Sequence, residues 1–302
     1  MTRDVRFQGT FTALVTPFTD DGAIDWPAYE RLVQGQIDGG VEGLVPCGTT
    51  GETPTLEAEE QLAVLRRTVE LVKGAKRRPL VIAGTGTNAT RTTIAASQAA
   101  ERAGVDAVMG GVPYYNTPTQ AGLVDHFAAV AASVSCPVVA YNVPGRTGSD
   151  MSTATLAKIC ERSPNVLAVK EATGNVLRAQ EIVRTLGPRL TVLCGDDALT
   201  LPMVAIGARG VISVTSNLYP AEVSAATRLA LEGRLEEARR AHLQLCRVHE
   251  VMFVEANPAP VKAALAHRGR MTDVVRGPLS RISQPSRAVV VEAIEAFESG
   301  RP

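Results

Sequence analysis

Short apolar runs alternate with longer amphipathic ones along the chain. The short runs are "TFTALVTPF" (10–18), "GLVPCG" (43–48), "PLVIAGTG" (79–86), "AVMGGVPY" (107–114), "PVVAYNV" (137–143), "VLAVKEA" (166–172), "TVLCGD" (191–196) and "GVISVT" (210–215). They are rich in Val, Ile and Ala and lack clean polar alternation, the pattern of strands buried on both faces of a parallel sheet. Between them lie helical stretches such as "TLEAEEQLAVLRRTVELVKGA" and "TRTTIAASQAAERAG", the second closed by Gly104 as a C-cap signal. Eight strands, each followed by a helix, predict an α/β chain folded as a (β/α)8 TIM barrel. After residue 215 the stretches "AEVSAATRLALEGRLEEARRAHLQLCRVHEVMFVE" and "PAPVKAALAHRG" read as helices. The organisation predicted is therefore a barrel catalytic domain over 1–218 and a C-terminal helical extension over 219–302.

Composition narrows the function classes. The chain has 302 residues, 45% hydrophobic and 21% charged, enough apolar material for a large core. Lys+Arg and Asp+Glu both number 31, so no charge excess points to nucleic acid or an anionic membrane. The N-terminal stretch lacks the apolar core of a signal peptide, and no run reaches the roughly 18 uninterrupted apolar residues of a membrane span. Five scattered cysteines without a CxxC pair read as buried reduced thiols of a cytoplasmic protein.

Barrels gather chemistry at the C-terminal ends of their strands. The polar residues predicted there are Thr49, Thr50 and Glu52 after strand two, Asn88 after strand three, and Tyr114 and Tyr115 after strand four. Tyr141, Asn142 and Arg146 follow strand five, Lys170 and Glu171 close strand six, Asp196 and Asp197 follow strand seven, and Ser213 and Thr215 lie along strand eight. All four histidines fall on helical stretches, so no His or Cys cluster offers a zinc or iron site. Asp196-Asp197 reads either as a hard-cation ligand pair or as the cap of the following helix.

Lys170 interrupts an apolar strand. Such a lysine either snorkels to the surface or enters the barrel mouth. A desolvated amine is more readily neutral, and a neutral amine attacks a ketone or aldehyde to form a Schiff base. That chemistry needs an acid/base, and Tyr141 ends the neighbouring strand. "PCGTTGETPT" (46–55) reads as a turn whose amides and hydroxyls hold a carboxylate, or as a loop in which Thr or Glu caps the segment Thr53 to Leu56. It is not a P-loop, because no Lys follows the second Gly. Gly84-x-Gly86-x-x-Ala89 matches a dinucleotide fingerprint, but the acidic residue that should end the next strand is missing. Asp106 precedes that strand.

The motifs "GTTGETPTL", "AGTGTNAT", "PYYNTPTQAGLVDHF", "YNVPGRTG", "VKEATGN", "GDDA", "GVISVTSN" and "NPAPVKAAL" closely resemble the dihydrodipicolinate synthase family. That family belongs to the pyruvate-dependent class I aldolases, which include N-acetylneuraminate lyase. The resemblance runs from about Gly9 into the 260s in unbroken order. It implies condensation of pyruvate with L-aspartate 4-semialdehyde to 4-hydroxy-tetrahydrodipicolinate, the first step of the diaminopimelate branch of lysine biosynthesis. It further implies that Lys170 forms the imine and Tyr141 transfers protons. Thr49 links Tyr141 to Tyr115, which enters from a neighbouring subunit. Thr50 holds the pyruvate carboxylate, Ile212 lines its pocket, and Arg146 binds the carboxylate of the second substrate. Gly195, Asp197 and Asn257 are named for the same area. The resemblance implies a homotetramer built as a dimer of dimers, with no metal or organic cofactor.

Lysine-inhibited members of the family carry His or other polar groups early in the helix after "GTTGE". Here Thr53, Pro54, Thr55, Ala58 and Gln61 stand there, and Thr92 replaces an acidic residue, although Asn88 and Tyr114 remain. Weak or absent lysine feedback is expected. The rival readings are a sibling aldolase acting on a 2-keto-3-deoxy sugar acid or 4-hydroxy-2-oxoglutarate, a non-catalytic keto-acid sensor, and a dinucleotide enzyme. Arg146 weighs against the first.

Overall fold

A computed structural model describes residues 7–300. Residues 1–6 and 301–302, the outer ends of the two domains read from sequence, lie outside the described residues. In chain order the elements are β1 (Gly9–Ala13), α1 (Trp26–Asp38), β2 (Gly43–Val45), α2 (Ala58–Lys73), β3 (Leu80–Gly84), α3 (Thr90–Ala103) and β4 (Ala107–Gly111). There follow α4 (Gln120–Ala132), β5 (Val138–Asn142), the single turn α5 (Pro144–Thr147), α6 (Thr153–Arg162), β6 (Val166–Glu171), α7 (Val176–Leu186) and β7 (Thr191–Cys194). The chain ends in α8 (Thr200–Ala205), β8 (Gly210–Ser213), α9 (Pro220–Leu231), α10 (Leu235–Val251), α11 (Ala259–His267) and α12 (Gln284–Glu298).

The eight strands are parallel and close in sequence order, β8 pairing with β1. The (β/α)8 barrel expected from the apolar runs is the fold. The pleat then assigns every strand residue to a face, because successive side chains point to opposite sides. Phe11, Val45, Ile82, Met109, Val139, Ala168, Leu193 and Ile212 fill the inside of the barrel. Leu44, Val81, Val108, Val138, Ala140, Val169, Val192 and Val211 face outward, into the layer beneath the helices. Both faces are apolar, which is why the strands read as unbroken apolar runs.

Strand ends fall short of the runs that predicted them. The first run extends to Phe18, yet β1 ends at Ala13. Leu14 and Phe18 join the layer under the helices, and Val15 packs into the extension, so their hydrophobicity serves packing outside the strand.

Capping agrees with the local chemistry. Asp25 accepts from the Ala28 amide at 3.0 Å at the start of α1. Gly104 closes α3 with φ 91°, a left-handed conformation costly for residues with a Cβ. The helix α9 lies against β1, β8 and α1, and completes the outer ring. A separate core of Val248, Val251, Met252, Val261, Leu265, Val290 and Ile294 unites α10, α11 and α12, and joins the barrel through Val15 and Val214. The helix α12 lies beyond the stretches whose pattern was read as helical.

Asp106 settles the dinucleotide reading. It immediately precedes β4 at the N-terminal end of the barrel, where it accepts from Arg78 at 2.9 Å and from the Val81 amide at 2.8 Å. That is the end opposite the barrel mouth, and the carboxylate is already engaged. Among the described residues no helix is long and apolar enough to cross a membrane.

Candidate active site

Face parity sends Lys170 inward. On β6, Ala168 points into the barrel and Val169 points out, so Lys170 points in again. On β5 the same alternation takes Val139 in, Ala140 out and Tyr141 in. Tyr141 and Lys170 are Cα partners in the parallel register. The lysine is 6% exposed, and its Nζ lies 4.3 Å from the centroid of the Tyr141 ring. Among the described residues no carboxylate pairs with Lys170. Glu171 takes the outer face, where its carboxylate lies 3.3 Å from Arg178 Nε. Arg178 also binds Asp150 at 2.9 Å, and Asp150 accepts from Asn142, the Cα partner of Glu171, at 2.9 Å. The strand ends carrying Tyr141 and Lys170 are thus tied together from outside.

A cavity of about 520 Å³ opens beside this pair. Thr49, Tyr141, Arg146, Tyr114, Asn88 and Thr92 contribute to its wall. Lys170, Thr50, Ile212, Gly195, Asp197 and Asn257 do not line it. Tyr141 belongs to both groups, since it faces the cavity and touches Lys170. Arg146 sits on α5, where Pro144 opens the turn and the Arg146 amide donates to the Val143 carbonyl at 2.9 Å. Its side chain is solvent-exposed.

Thr50 is buried, and Asn257 Nδ2 donates to its Oγ1 at 2.9 Å. The donated hydrogen occupies a lone pair of Thr50 and leaves the Thr50 hydroxyl proton to point elsewhere. Asn257 Oδ1 is buried without a hydrogen-bond partner. Ile212 is buried in the barrel interior with Tyr141 and Leu193.

Other expectations change at this point. Asp197 was named for the substrate area, but its carboxylate is engaged within the fold. Oδ1 accepts from Ser213 at 2.5 Å and Oδ2 from the Val214 amide at 2.8 Å. It holds the turn after β8 that carries Ile212. Asp196 is the cap, accepting from the Ala198 amide at 3.0 Å. Gly195 has a packing reason to lack a side chain. A Cβ there would meet the Ala172 Cβ at 2.5 Å, and its amide donates to the Glu171 carbonyl at 2.8 Å. Glu52 is not a cap, because Lys262 and the Arg276 amide take its carboxylate. Lys262 escaped the sequence reading, although a lysine inside the apolar stretch "PVKAALA" was a signal.

Tyr115 stands apart. It is 89% exposed, with φ 71°, on the loop after β4. Among the described residues no hydrogen bond joins the hydroxyls of Thr49, Tyr141 and Tyr115. Two members of the expected relay lie close to one cavity, and the third projects away from its own chain.

All five cysteines are free thiols, and burial pushes Cys47 and Cys136 up to about 12, far from thiolate reactivity. Among the described residues no group of three His, Cys, Asp or Glu is arranged to hold a metal.

A closed parallel barrel with a lysine inside its sixth strand, stacked on a tyrosine of the fifth, has the architecture of a Schiff-base lyase. The chain matches the Dihydrodipicolinate synthetase family over residues 6–297 and belongs to that family. It is 56% identical over 294 residues to the 4-hydroxy-tetrahydrodipicolinate synthase of Sorangium cellulosum, covering 97% of each chain. Among solved structures it superposes on dihydrodipicolinate synthase from Aquifex aeolicus with TM-score 0.93 and 42% identity, covering 97% of this chain and 98% of the other. The chloride-inhibited Acinetobacter baumannii dihydrodipicolinate synthase, solved in complex with pyruvate, gives TM-score 0.94 and 37% identity, over 97% and 99% of the two chains.

Proposed function

We propose that this chain condenses pyruvate with L-aspartate 4-semialdehyde through a Schiff base on Lys170, giving 4-hydroxy-tetrahydrodipicolinate. The observation that carries it is the stacking of Lys170 on Tyr141 inside the barrel, 4.3 Å from amine to ring centroid. Family membership and the pyruvate complex of the A. baumannii relative support the same reading.

The Lys170 amine adds to the keto carbon of pyruvate and water leaves, forming the imine. The imine withdraws electrons from the adjacent methyl, which loses a proton to give an enamine. Tyr141 moves that proton, through Thr49. The enamine carbon attacks the aldehyde carbon of the second substrate, and the aldehyde oxygen takes a proton to become the hydroxyl. The substrate amine then attacks the imine carbon, closes the ring and releases Lys170. Thr50 holds the pyruvate carboxylate by its amide and its free hydroxyl proton, and Ile212 packs against the methyl side. Arg146, exposed at the cavity, binds the carboxylate of the semialdehyde, for which its planar fork is suited. Gly195 lets the β7 end approach the substrate closely, and Asn257 acts through Thr50.

Tyr115 completes the relay from a second copy of the chain. Its exposure of 89% and its left-handed backbone support a residue presented outward. That exchange needs a dimer, and the family resemblance extends the proposal to a homotetramer built as a dimer of dimers. A cytoplasmic location is supported by the five free cysteines.

Sodium borohydride with pyruvate tests the reading. The expected result is a stable mass increase confined to the peptide containing Lys170, with none in Lys170→Arg and near-total loss of semialdehyde-dependent turnover in that variant. An unmodified wild-type chain, or full activity in Lys170→Arg, would overturn it. Turnover of 2-keto-3-deoxy sugar acids in preference to the semialdehyde would transfer the same lysine chemistry to a sibling aldolase.

A further inference from the structure

Thr50 sits on a strained turn. Cys47 and Glu52, both non-glycine, flank it in the left-handed region with φ 55° and 56°. Such residues cost free energy and persist where surrounding contacts over-determine them. Gly51 confirms how little room the turn has, since a Cβ there would meet the Leu14 carbonyl oxygen at 3.1 Å.

Thr16 from the β1 side donates to the Gly51 carbonyl at 2.8 Å, and the charged contacts that hold the turn come from the C-terminal extension. Lys262 on α11 forms an ion pair with Glu52, and both side chains are fully buried. Lys262 also donates to the Val274 carbonyl at 2.8 Å and lies 4.1 Å from the centroid of the Phe18 ring. The Arg276 amide donates to the second oxygen of Glu52 at 2.9 Å. The Arg276 guanidinium covers the same Phe18 ring at 4.4 Å and grips Glu60 at 2.6 Å. Burial lowers the Lys262 ammonium to about 8 against the pull of Glu52, so the fold holds this charge at a cost. A buried pair contributes little net stability compared with apolar residues of the same shape, so its use here is best sought in position. Asn257, also from the extension, binds Thr50 directly at 2.9 Å.

We propose that Lys262 is a positioning residue for keto-acid capture: through Glu52 it fixes the turn that presents the Thr50 amide and hydroxyl to the substrate carboxylate. The inference rests on the Schiff-base reading above and assigns the extension a role in it. The extension closes over one side of the barrel mouth and clamps the carboxylate-binding turn from outside the ring of strands.

The test is borohydride trapping as a function of pyruvate concentration, which follows imine formation without the second substrate. Lys262→Met should raise the half-saturating pyruvate concentration roughly tenfold or more, with maximal trapping within about threefold of wild type, the signature of lost substrate binding. Thr50→Val should raise it similarly. Adding Lys262→Met to Thr50→Val should raise it by clearly less than the product of the two single effects, because the two act on one contact of which Thr50→Val leaves only the amide. A lone Glu52 carboxylate in Lys262→Met weakens folding, so the neutral pair Glu52→Gln with Lys262→Met provides the second arm. Its melting temperature should recover towards wild type while half-saturation stays raised. A lowered melting temperature with unchanged half-saturation in both variants, or effects of Lys262→Met and Thr50→Val that simply add, would reduce the pair to a structural role. Failure of the wild-type chain to trap pyruvate at all would instead sink the Schiff-base reading.

Discussion

Tyr141 and Lys170 are direct partners across β5 and β6, and the lysine amine rests on the tyrosine ring 4.3 Å from its centroid. The pair is set by the parity of two adjacent parallel strands. Acid/base transfer by Tyr141 is therefore separable from imine formation by Lys170. In Tyr141→Phe the ring and its contact with the amine remain, and only the hydroxyl is lost. Turnover should fall roughly 10²–10⁴-fold, the usual contribution of a positioned acid/base group. Borohydride trapping of pyruvate should persist, more slowly. Turnover within a few-fold of wild type would remove Tyr141 from the proton path.

Arg146 is exposed on a one-turn helix at the cavity wall, away from the buried Lys170 group. Its effect should be confined to the second substrate. Arg146→Ala should raise the KM for the semialdehyde by roughly 10- to 150-fold, equivalent to about 1.5–3 kcal/mol for a charge-assisted hydrogen bond. Half-saturation for pyruvate trapping should not move. Arg146→Lys should recover only part of the loss, since an ammonium lacks the bidentate fork. An equal rise in both half-saturations would place Arg146 at the pyruvate carboxylate instead.

Acid should destabilise the fold before the carboxylates titrate. Burial lowers His126, His242 and His249 below the ordinary value of 6.5. His126 Nδ1 meets Thr90 Oγ1 at 2.9 Å, and His249 Nδ1 meets Thr215 Oγ1 at 2.8 Å. His242 and His249 lie 5.9 Å apart, ring to ring, and Asp196 and Asp197 only partly offset the desolvation of His249. The folded state binds fewer protons than the unfolded chain just below pH 6.5, so stability is complete above that pH and declines beneath it. Glu60 and Glu101, whose pKa values are lowered, act only below the ordinary carboxyl value of 4.5. The urea midpoint should therefore drop between about pH 7 and about pH 5.5, and replacing His126 and His249 by Gln should flatten that slope. A midpoint independent of pH over this interval would contradict it.

Lysine should be a poor inhibitor. Thr92, Gln61, Asn88 and Tyr114 line the cavity beside Tyr141, and no carboxylate is among its lining residues. A second ammonium entering there finds no anionic partner, and Arg146 repels it. Millimolar lysine should leave the rate nearly unchanged. Inhibition by half at that concentration would show that neutral acceptors suffice.

Several features are written in the sequence alone. The short unbroken apolar runs and the chain order of the βα units are local properties. They were enough to predict eight parallel strands, to bring Lys170 and Tyr141 to adjacent strand ends, and to put the histidines on helices. Strand ends were less legible, because Leu14, Val15 and Phe18 are as apolar as the strand they follow but pack in other layers. That a side chain at Gly195 would run into Ala172 was not legible either, because the contact joins the ends of two different strands.

What only the closed fold decided is which buried polar groups meet. Glu52 pairs with Lys262 and with the amide of Arg276, 224 residues further along the chain. Asp197 is engaged by the β8 turn, Asn257 reaches back 207 residues to Thr50, and Tyr115 is turned outward. A buried carboxylate or amide must find a partner, but the sequence near it does not say which one. That choice is made when strand eight meets strand one and the extension folds over the rim, bringing distant segments to within a hydrogen bond of each other.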